Sequence, residues 1–196
     1  MSLDVTPVLN TPDIKSVFGG NDGRTLASDE YGAVRAVEFI ALPGTVFEVL
    51  DEIMLNGERM YRVETREYPY DSADGYFIAQ RFVRDAPGPI EGRIVCLPPA
   101  EEILVRMRSW IGLPYVWGGN SPQGVSGVLE YFSLSETDSA EVLDRWMLKG
   151  MDCSGLLYAA SGGWTPRNTS VLVDYGRPVE VEGMNADEIV SVVEPL

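Results

Sequence analysis

Leu113-Pro114-Tyr115-Val116-Trp117-Gly118-Gly119 and Asp152-Cys153-Ser154-Gly155-Leu156 are the two stretches on which the reading of this chain turns. In the second, Gly150 precedes the cysteine, and Leu156-Leu157-Tyr158-Ala159-Ala160 follows as a short helical run ended by Gly162-Gly163. Cys153 therefore falls at or near a helix N-terminus, where unpaired backbone N–H groups and the helix dipole favour a thiolate. A thiolate beside small residues that leave approach space is what a nucleophile needs. An inert buried cysteine at a helix start would read the same way. The first stretch is a rigid aromatic loop between two helices. Tyr115 offers a hydroxyl, Trp117 a flat wall or a core aromatic, and Gly118-Gly119 a close backbone approach. Against this stands an absence: the 196 residues include no histidine, although a thiol nucleophile needs a proton acceptor.

Upstream of the aromatic loop, Pro98-Pro99 lead into a helix with Glu101 and Glu102 in its first turn, Arg106 and Arg108 late, and Gly112 as its stop. Ile103, Leu104, Met107, Trp110 and Ile111 recur at helical spacing, a stripe expected to be core. A second helix is expected from Ser139 as N-cap to Lys149, with Val142, Leu143, Trp146 and Met147 on one face. Ala86-Pro87-Gly88-Pro89 reads as a linker. Ahead of it, residues 31–83 read as short strands: Arg35 to Ile40, Thr45 to Glu52 running on to Ile53, Met60 to Thr65, and Gly75 to Ile78. Asn56-Gly57 is a hairpin signal, since both residues tolerate positive φ. Short strands divided by such turns indicate a small barrel. Residues before Tyr31 read as an irregular arm.

Composition narrows the function classes. Hydrophobic residues make up 45%, enough for a core, and no apolar run reaches the roughly 18 residues that span a bilayer. The chain carries 30 acidic against 15 basic residues, a net charge of −15. That excess argues against nucleic acid and anionic membrane surfaces and suits amine-bearing ligands. Cys96 and Cys153 could form one disulfide; a free, buried Cys96 and a reactive Cys153 is the preferred reading, and it fits a reducing compartment. Two cysteines without histidine argue against a zinc site, and no metal or cofactor is expected. Met1 to Pro7 has neither the basic nor the apolar stretch of a signal peptide. The expected location is cytoplasmic, with periplasmic or secreted as the alternative if a signal has been removed.

Together the two motifs resemble the NlpC-type cell-wall peptidases, a papain-like cysteine endopeptidase family. Their signature is Gly-x-Pro-Tyr-x-Trp-Gly-Gly followed by Asp-Cys-Ser-Gly-Leu, here Gly112 to Gly119 and Asp152 to Leu156. The strand-rich part resembles the bacterial Src-homology-3-like barrel that often precedes that domain, through Tyr61-Arg62-Val63 and Gly75 to Phe82, with Glu67 to Asp74 as an insertion. The resemblance implies an α+β fold: an arm and small β barrel over 1–86, then the N-terminal half of a papain-like catalytic domain over 98–196, its C-terminal sheet largely absent. It implies Cys153 as nucleophile and Tyr115 as the tyrosine that orients the site. Trp117, Asp152, Ser154, Asn168 and Thr169 would bind substrate, with Asp152 and Ser154 holding a free amino end. Where the family often has Pro-Arg-Asp/Thr-Ser, this chain has Pro166-Arg167-Asn168-Thr169-Ser170, so Asn168 is a departure. The implied activity is hydrolysis of an amide bond in murein peptides, between γ-D-glutamyl and a diamino acid. Non-catalytic peptidoglycan binding, and amidase or acyl-transfer chemistry on the same scaffold, are the alternatives.

Two further departures stand out. Residues 120–151 are longer than in most relatives and could wall the cleft or pack on the surface. The family's histidine follows a Gly-Asp-Leu strand, and Ile189 to Leu196 reads only as the approach to it. Without that sheet, Leu156, Leu157 and Tyr158 would face water at a cost of several kcal/mol. A longer or cleaved polypeptide, a second chain completing the sheet, or a degenerate binder would each account for this.

Overall fold

The computed structural model describes residues 1–86, 88 and 90–194. In chain order the elements are β1 (Thr6–Leu9), α1 (Ile14–Val17), β2 (Phe18–Gly19), β3 (Thr25–Leu26), β4 (Val37–Ala41), β5 (Glu48–Leu55), β6 (Glu58–Glu64) and β7 (Tyr76–Ala79). They continue with α2 (Ala100–Ser109), β8 (Asn120–Ser121), α3 (Ala140–Trp146), β9 (Gly150–Met151), α4 (Cys153–Ala160), α5 (Thr169–Leu172) and α6 (Ala186–Val193). The fold is mixed α+β, built on a five-stranded antiparallel sheet in the order β4-β1-β7-β6-β5.

The β5–β6 hairpin forms where local chemistry dictates. Asn56 (φ 53°) and Gly57 (φ 81°) make the turn, and Leu55 pairs with Glu58 across it. The segment before Tyr31 departs from expectation: it is not an irregular arm. β1 lies between β4 and β7, buried along its length, α1 buries Ile14 and Val17, and β2 pairs with β3. Burying Val8 and Leu9 contributes about 1.5–3 kcal/mol each. Their partners, Phe39, Val37 and Phe77, are too distant in sequence for any local pattern to announce the pairing.

Leu9, Val37, Ile40, Met60 and Phe77 of the sheet share one apolar cluster with Val125, Val128, Phe132, Trp146 and Leu148. Residues 120–151 are thus neither a surface insert nor mainly a cleft wall; they supply core. A second cluster gathers Val8, Phe39, Val63, Tyr68, Tyr76 and Ile78, with Tyr68 stacked on Phe39 at 4.4 Å. Of the expected linker, Pro87 and Pro89 lie outside the described residues, as do Pro195 and Leu196 of the C-terminal run. Residues 189–193 of that run fall in α6, whose start is closed by a capping box between Asn185 and Glu188.

Three further expectations are corrected. The apolar stripe of α2 is not core: no residue of the helix is buried, and Leu104 and Val105 are 48% and 62% exposed. α2 meets α4 along one side, where Arg106 Nη1 donates to Ala160 O at 2.9 Å; the rest of the stripe has no cover among the described residues. Cys96 is free but exposed, because Ile94 and Leu97 beside it lie in an irregular, exposed stretch. Tyr158 is 1% exposed rather than facing water, and Leu156 and Leu157 are half-buried. The loop after β6 provides the reason. Tyr158 Oη donates to Glu67 Oε2 at 3.0 Å, and Arg93 pairs with that carboxylate at 2.6 Å while donating to Gly162 O. Among the described residues no helix is long and apolar enough to cross a membrane.

Burial is the main cause that pushes the Tyr68 and Tyr131 hydroxyls up to about 12, and it raises Tyr76 and Tyr158 as well. An unfolded chain ionises tyrosine near pH ~10, so the folded state holds these protons more tightly. The associated stability is complete below that pH and is lost as pH rises toward 12. The midpoint of urea unfolding should therefore be level through neutral pH and fall steeply above pH ~10, with phenolate absorbance of these tyrosines appearing only as structure is lost.

Candidate active site

The two motifs are hydrogen-bonded to each other. Val116 N donates to Met151 O at 3.0 Å and Met151 N to Pro114 O at 3.1 Å, and β8 pairs with β9 immediately beyond. Gly118 (φ +69°) allows the aromatic loop to lie on β4; an added Cβ would stand 2.7 Å from Val37 O. Asp152 is the N-cap of α4, its Oδ1 accepting from Gly155 N at 2.6 Å. Gly155 is required by packing, since a Cβ there would strike Gly119 O and Asp152 Oδ1. Cys153 is the first residue of α4, exposed, with Sγ 3.4 Å from Thr169 Oγ1.

Behind the thiol lies a buried polar network centred on Arg167, which is 3% exposed. Its Nη2 donates to Asp152 Oδ2 at 2.7 Å and its Nη1 to Asp152 Oδ1 at 3.0 Å. Nη1 also reaches Ser154 Oγ at 3.0 Å, and Nε donates to Asn120 Oδ1 at 3.0 Å. Asn120 extends the network to the sheet: Ile40 N donates to its Oδ1 at 3.1 Å, and its Nδ2 donates to Ile40 O at 2.8 Å. A side chain thus imitates a neighbouring strand on the edge of β4. Sequence reasoning did not name Arg167 as a site residue. The available signal was Asp152 itself, because a carboxylate buried at a helix start requires a cationic partner.

A cavity of about 200 Å³ opens in front of Cys153. Cys153, Tyr115, Trp117, Asp152, Ser154, Asn168 and Thr169, the residues singled out from sequence, all line it. Their roles differ. Asp152 and Ser154 are buried and engaged with Arg167. Tyr115 is 66% exposed at the mouth; partial burial, then the proximity of Asp152 and Cys153, raises its hydroxyl above the ordinary range, so it remains a donor. Asn168 caps α5 through Ser170 N at 2.9 Å and turns its amide to Tyr68 Oη at 3.4 Å.

The opposite wall comes from the sheet, and sequence reasoning missed it. Glu38 of β4 and Tyr68 of the supposed insertion face the cavity. Glu38 Oε1 accepts from Asn10 Nδ2 at 2.9 Å and its Oε2 from Tyr68 Oη at 3.4 Å. Among the described residues no lysine or arginine pairs with Glu38. The cavity therefore has two acids, Asp152 neutralised by Arg167 and Glu38 unpaired. A wider groove of about 1360 Å³ runs along β5 and β6, but neither cysteine lines it. Among the described residues no cluster of three or more His, Cys, Asp and Glu side chains is gathered to hold a metal ion. Compared with family models, curated proteins and solved structures, the chain gives no match.

Gly155→Ala should lower stability by about 1–3 kcal/mol, because the backbone oxygen it meets cannot move aside, and should slow Cys153 alkylation by iodoacetamide. Both are read on one preparation, by urea unfolding and by peptide mass mapping. Arg167→Met should cost about 3–5 kcal/mol by leaving the Asp152 charge buried alone. Adding Asp152→Asn should recover part of that loss, as a double-mutant cycle would measure.

Proposed function

We propose that this chain carries the nucleophile half of an NlpC-type, papain-like cysteine peptidase, its sheet-rich part being a bacterial Src-homology-3-like barrel that supplies one wall of the cleft. The substrate is a short murein peptide, cut at the amide bond between γ-D-glutamyl and a diamino acid. One observation carries the reading: an exposed thiol at a helix start, Tyr115, and an unpaired acid wall of Glu38 and Tyr68 converge on a single cavity.

Cys153 Sγ attacks the carbonyl carbon, the C–N bond breaks, and the leaving amine takes a proton. Water then hydrolyses the thioester. The Cys153 backbone N–H, which has no acceptor among the described residues, faces the developing oxyanion. A histidine carried outside this sequence, on a continuing segment or a second chain, serves as base and then acid. Glu38 and the Tyr68 hydroxyl take the free ammonium end of the peptide, the role first expected of Asp152 and Ser154, because Arg167 already neutralises Asp152. The cavity is smaller than the roughly 300–1,000 Å³ of most ligand pockets, which suits the end of a short chain. Two free cysteines fit a reducing compartment, and the proposed location is the cytoplasm.

A second reading, a peptide-binding protein without turnover, draws support from the only side-chain partner of Sγ among the described residues being Thr169. Incubation with L-alanyl-γ-D-glutamyl-diamino acid separates the two. The peptidase releases the diamino acid, Cys153→Ala abolishes release, and Glu38→Gln raises KM about tenfold or more with a smaller change in kcat. The binder releases nothing, yet the peptide slows Cys153 alkylation. Neither release nor protection would overturn both.

A further inference from the structure

An arginine stacked on one of the residues that line the cavity has no part in the chemistry described so far. Arg35 lies on the segment entering β4, just ahead of Glu38. Its Cζ stands 4.0 Å from the centre of the Trp117 ring, and Trp117 lines the Cys153 cavity. Such stacking fixes the plane of a guanidinium. Its Nε donates to Asp29 Oδ2 at 2.7 Å, which fixes the rotation within that plane. Asp29 is itself held, its Oδ1 accepting from Tyr31 N and Ala33 N, both at 2.9 Å. Asn10, which orients Glu38, also donates to Arg35 O at 3.1 Å. The Arg35 charge reaches Tyr115 as well, whose hydroxyl it draws down against the causes that raise it.

A guanidinium needs only one of these contacts to stay near the surface. Here one nitrogen and one face are used, and the side chain is still 50% exposed. Among the described residues Nη1 and Nη2 have no hydrogen-bond partner. The remaining edge is a preoriented pair of donors, which matches a carboxylate better than a lysine would. Asp29 pairs with Arg35 through Nε alone, so two unused guanidinium donors stand beside a cavity whose acid Glu38 has no cationic partner among the described residues.

We propose that Arg35 is a specificity-determining residue that binds a carboxylate of the ligand at the rim of the Cys153 cavity. The identity of that carboxylate rests on the function proposed above: a γ-linked glutamyl unit keeps its α-carboxylate free next to the reacting arm, whereas an α-linked peptide has none there. Glu38 reads the ammonium end and Arg35 the carboxylate.

Two alkylating reagents of similar size test the cation without any turnover. Iodoacetate is an anion and iodoacetamide is neutral, and each can be followed at Cys153 by peptide mass mapping, with exposed Cys96 as internal reference. The iodoacetate-to-iodoacetamide rate ratio at Cys153 should fall about three- to fivefold in Arg35→Gln, the scale of one exposed ion pair, and largely return in Arg35→Lys. An unchanged ratio in Arg35→Gln overturns the proposal. In the unaltered protein, L-alanyl-γ-D-glutamate should slow iodoacetamide at lower concentration than the same dipeptide with its α-carboxylate amidated, and Arg35→Gln should erase the difference. Equal protection by both dipeptides in the unaltered protein overturns the assignment to that carboxylate. A fallen ratio with protection by neither supports the anion site and overturns the murein reading instead.

Discussion

Arg167 and Asp152 form a two-pronged ion pair inside the protein, and the geometry in front of Cys153 follows from it. Taking two charges out of water costs several kcal/mol per ion, which only close pairing and full hydrogen bonding offset. Arg167 meets that condition by donating to Asp152, Ser154, Asn120 and the Gly119 carbonyl at once. With its charge balanced, Asp152 is left to accept from Gly155 N and set the first turn of α4. Cys153 then points outward, where the same turn leaves its own N–H unused.

The pair also joins the two halves of the cleft. Asn120 takes one donor from Arg167 and completes a strand-like exchange with Ile40 on the edge of β4. Two residues before Ile40 on that strand stands Glu38, so the acid wall and the thiol are referred to one rigid frame. A second tie runs through Glu67, which accepts from Tyr158 of α4 and pairs with Arg93. Tyr68, the next residue, is thereby held over the cavity. Preorganisation of this kind is what a site with small tolerances requires. The division of charge has a consequence for selectivity. Asp152 is cancelled by Arg167, Glu38 is free, and Arg35, paired with Asp29 through Nε alone, keeps two donors unused beside Trp117, so the proposed ligand presents an ammonium and a carboxylate at a set spacing.

What could be read from the chain was local. The Asn56-Gly57 turn, the Ser139 cap that accepts from Val142 N, and the start of a helix at Asp152-Cys153 all formed where side chains within a few residues dictate the backbone. Tyr115, Trp117, Cys153, Asn168 and Thr169, distant in the chain, line one cavity. The misreadings share a cause as well. β1 has four residues and no periodicity to display, and its stability comes from strands far along the chain. The stripe on α2 has the right period for burial, but period says nothing about whether another element arrives to cover it. Residues 120–151 looked like an addition and proved to hold about a third of a core cluster, because Phe132 and Trp146 find each other and the sheet only in three dimensions.

By itself, the order of residues determined the turns, the caps, the placement of the thiol at a helix start, and a strongly acidic molecule without imidazole, since each depends on neighbours within a turn of backbone or on simple counting. Only the tertiary structure decided which acid is free. Asp152 and Glu38 are alike as carboxyl groups, and the difference between them is that Arg167, brought in across the fold, reaches one and not the other.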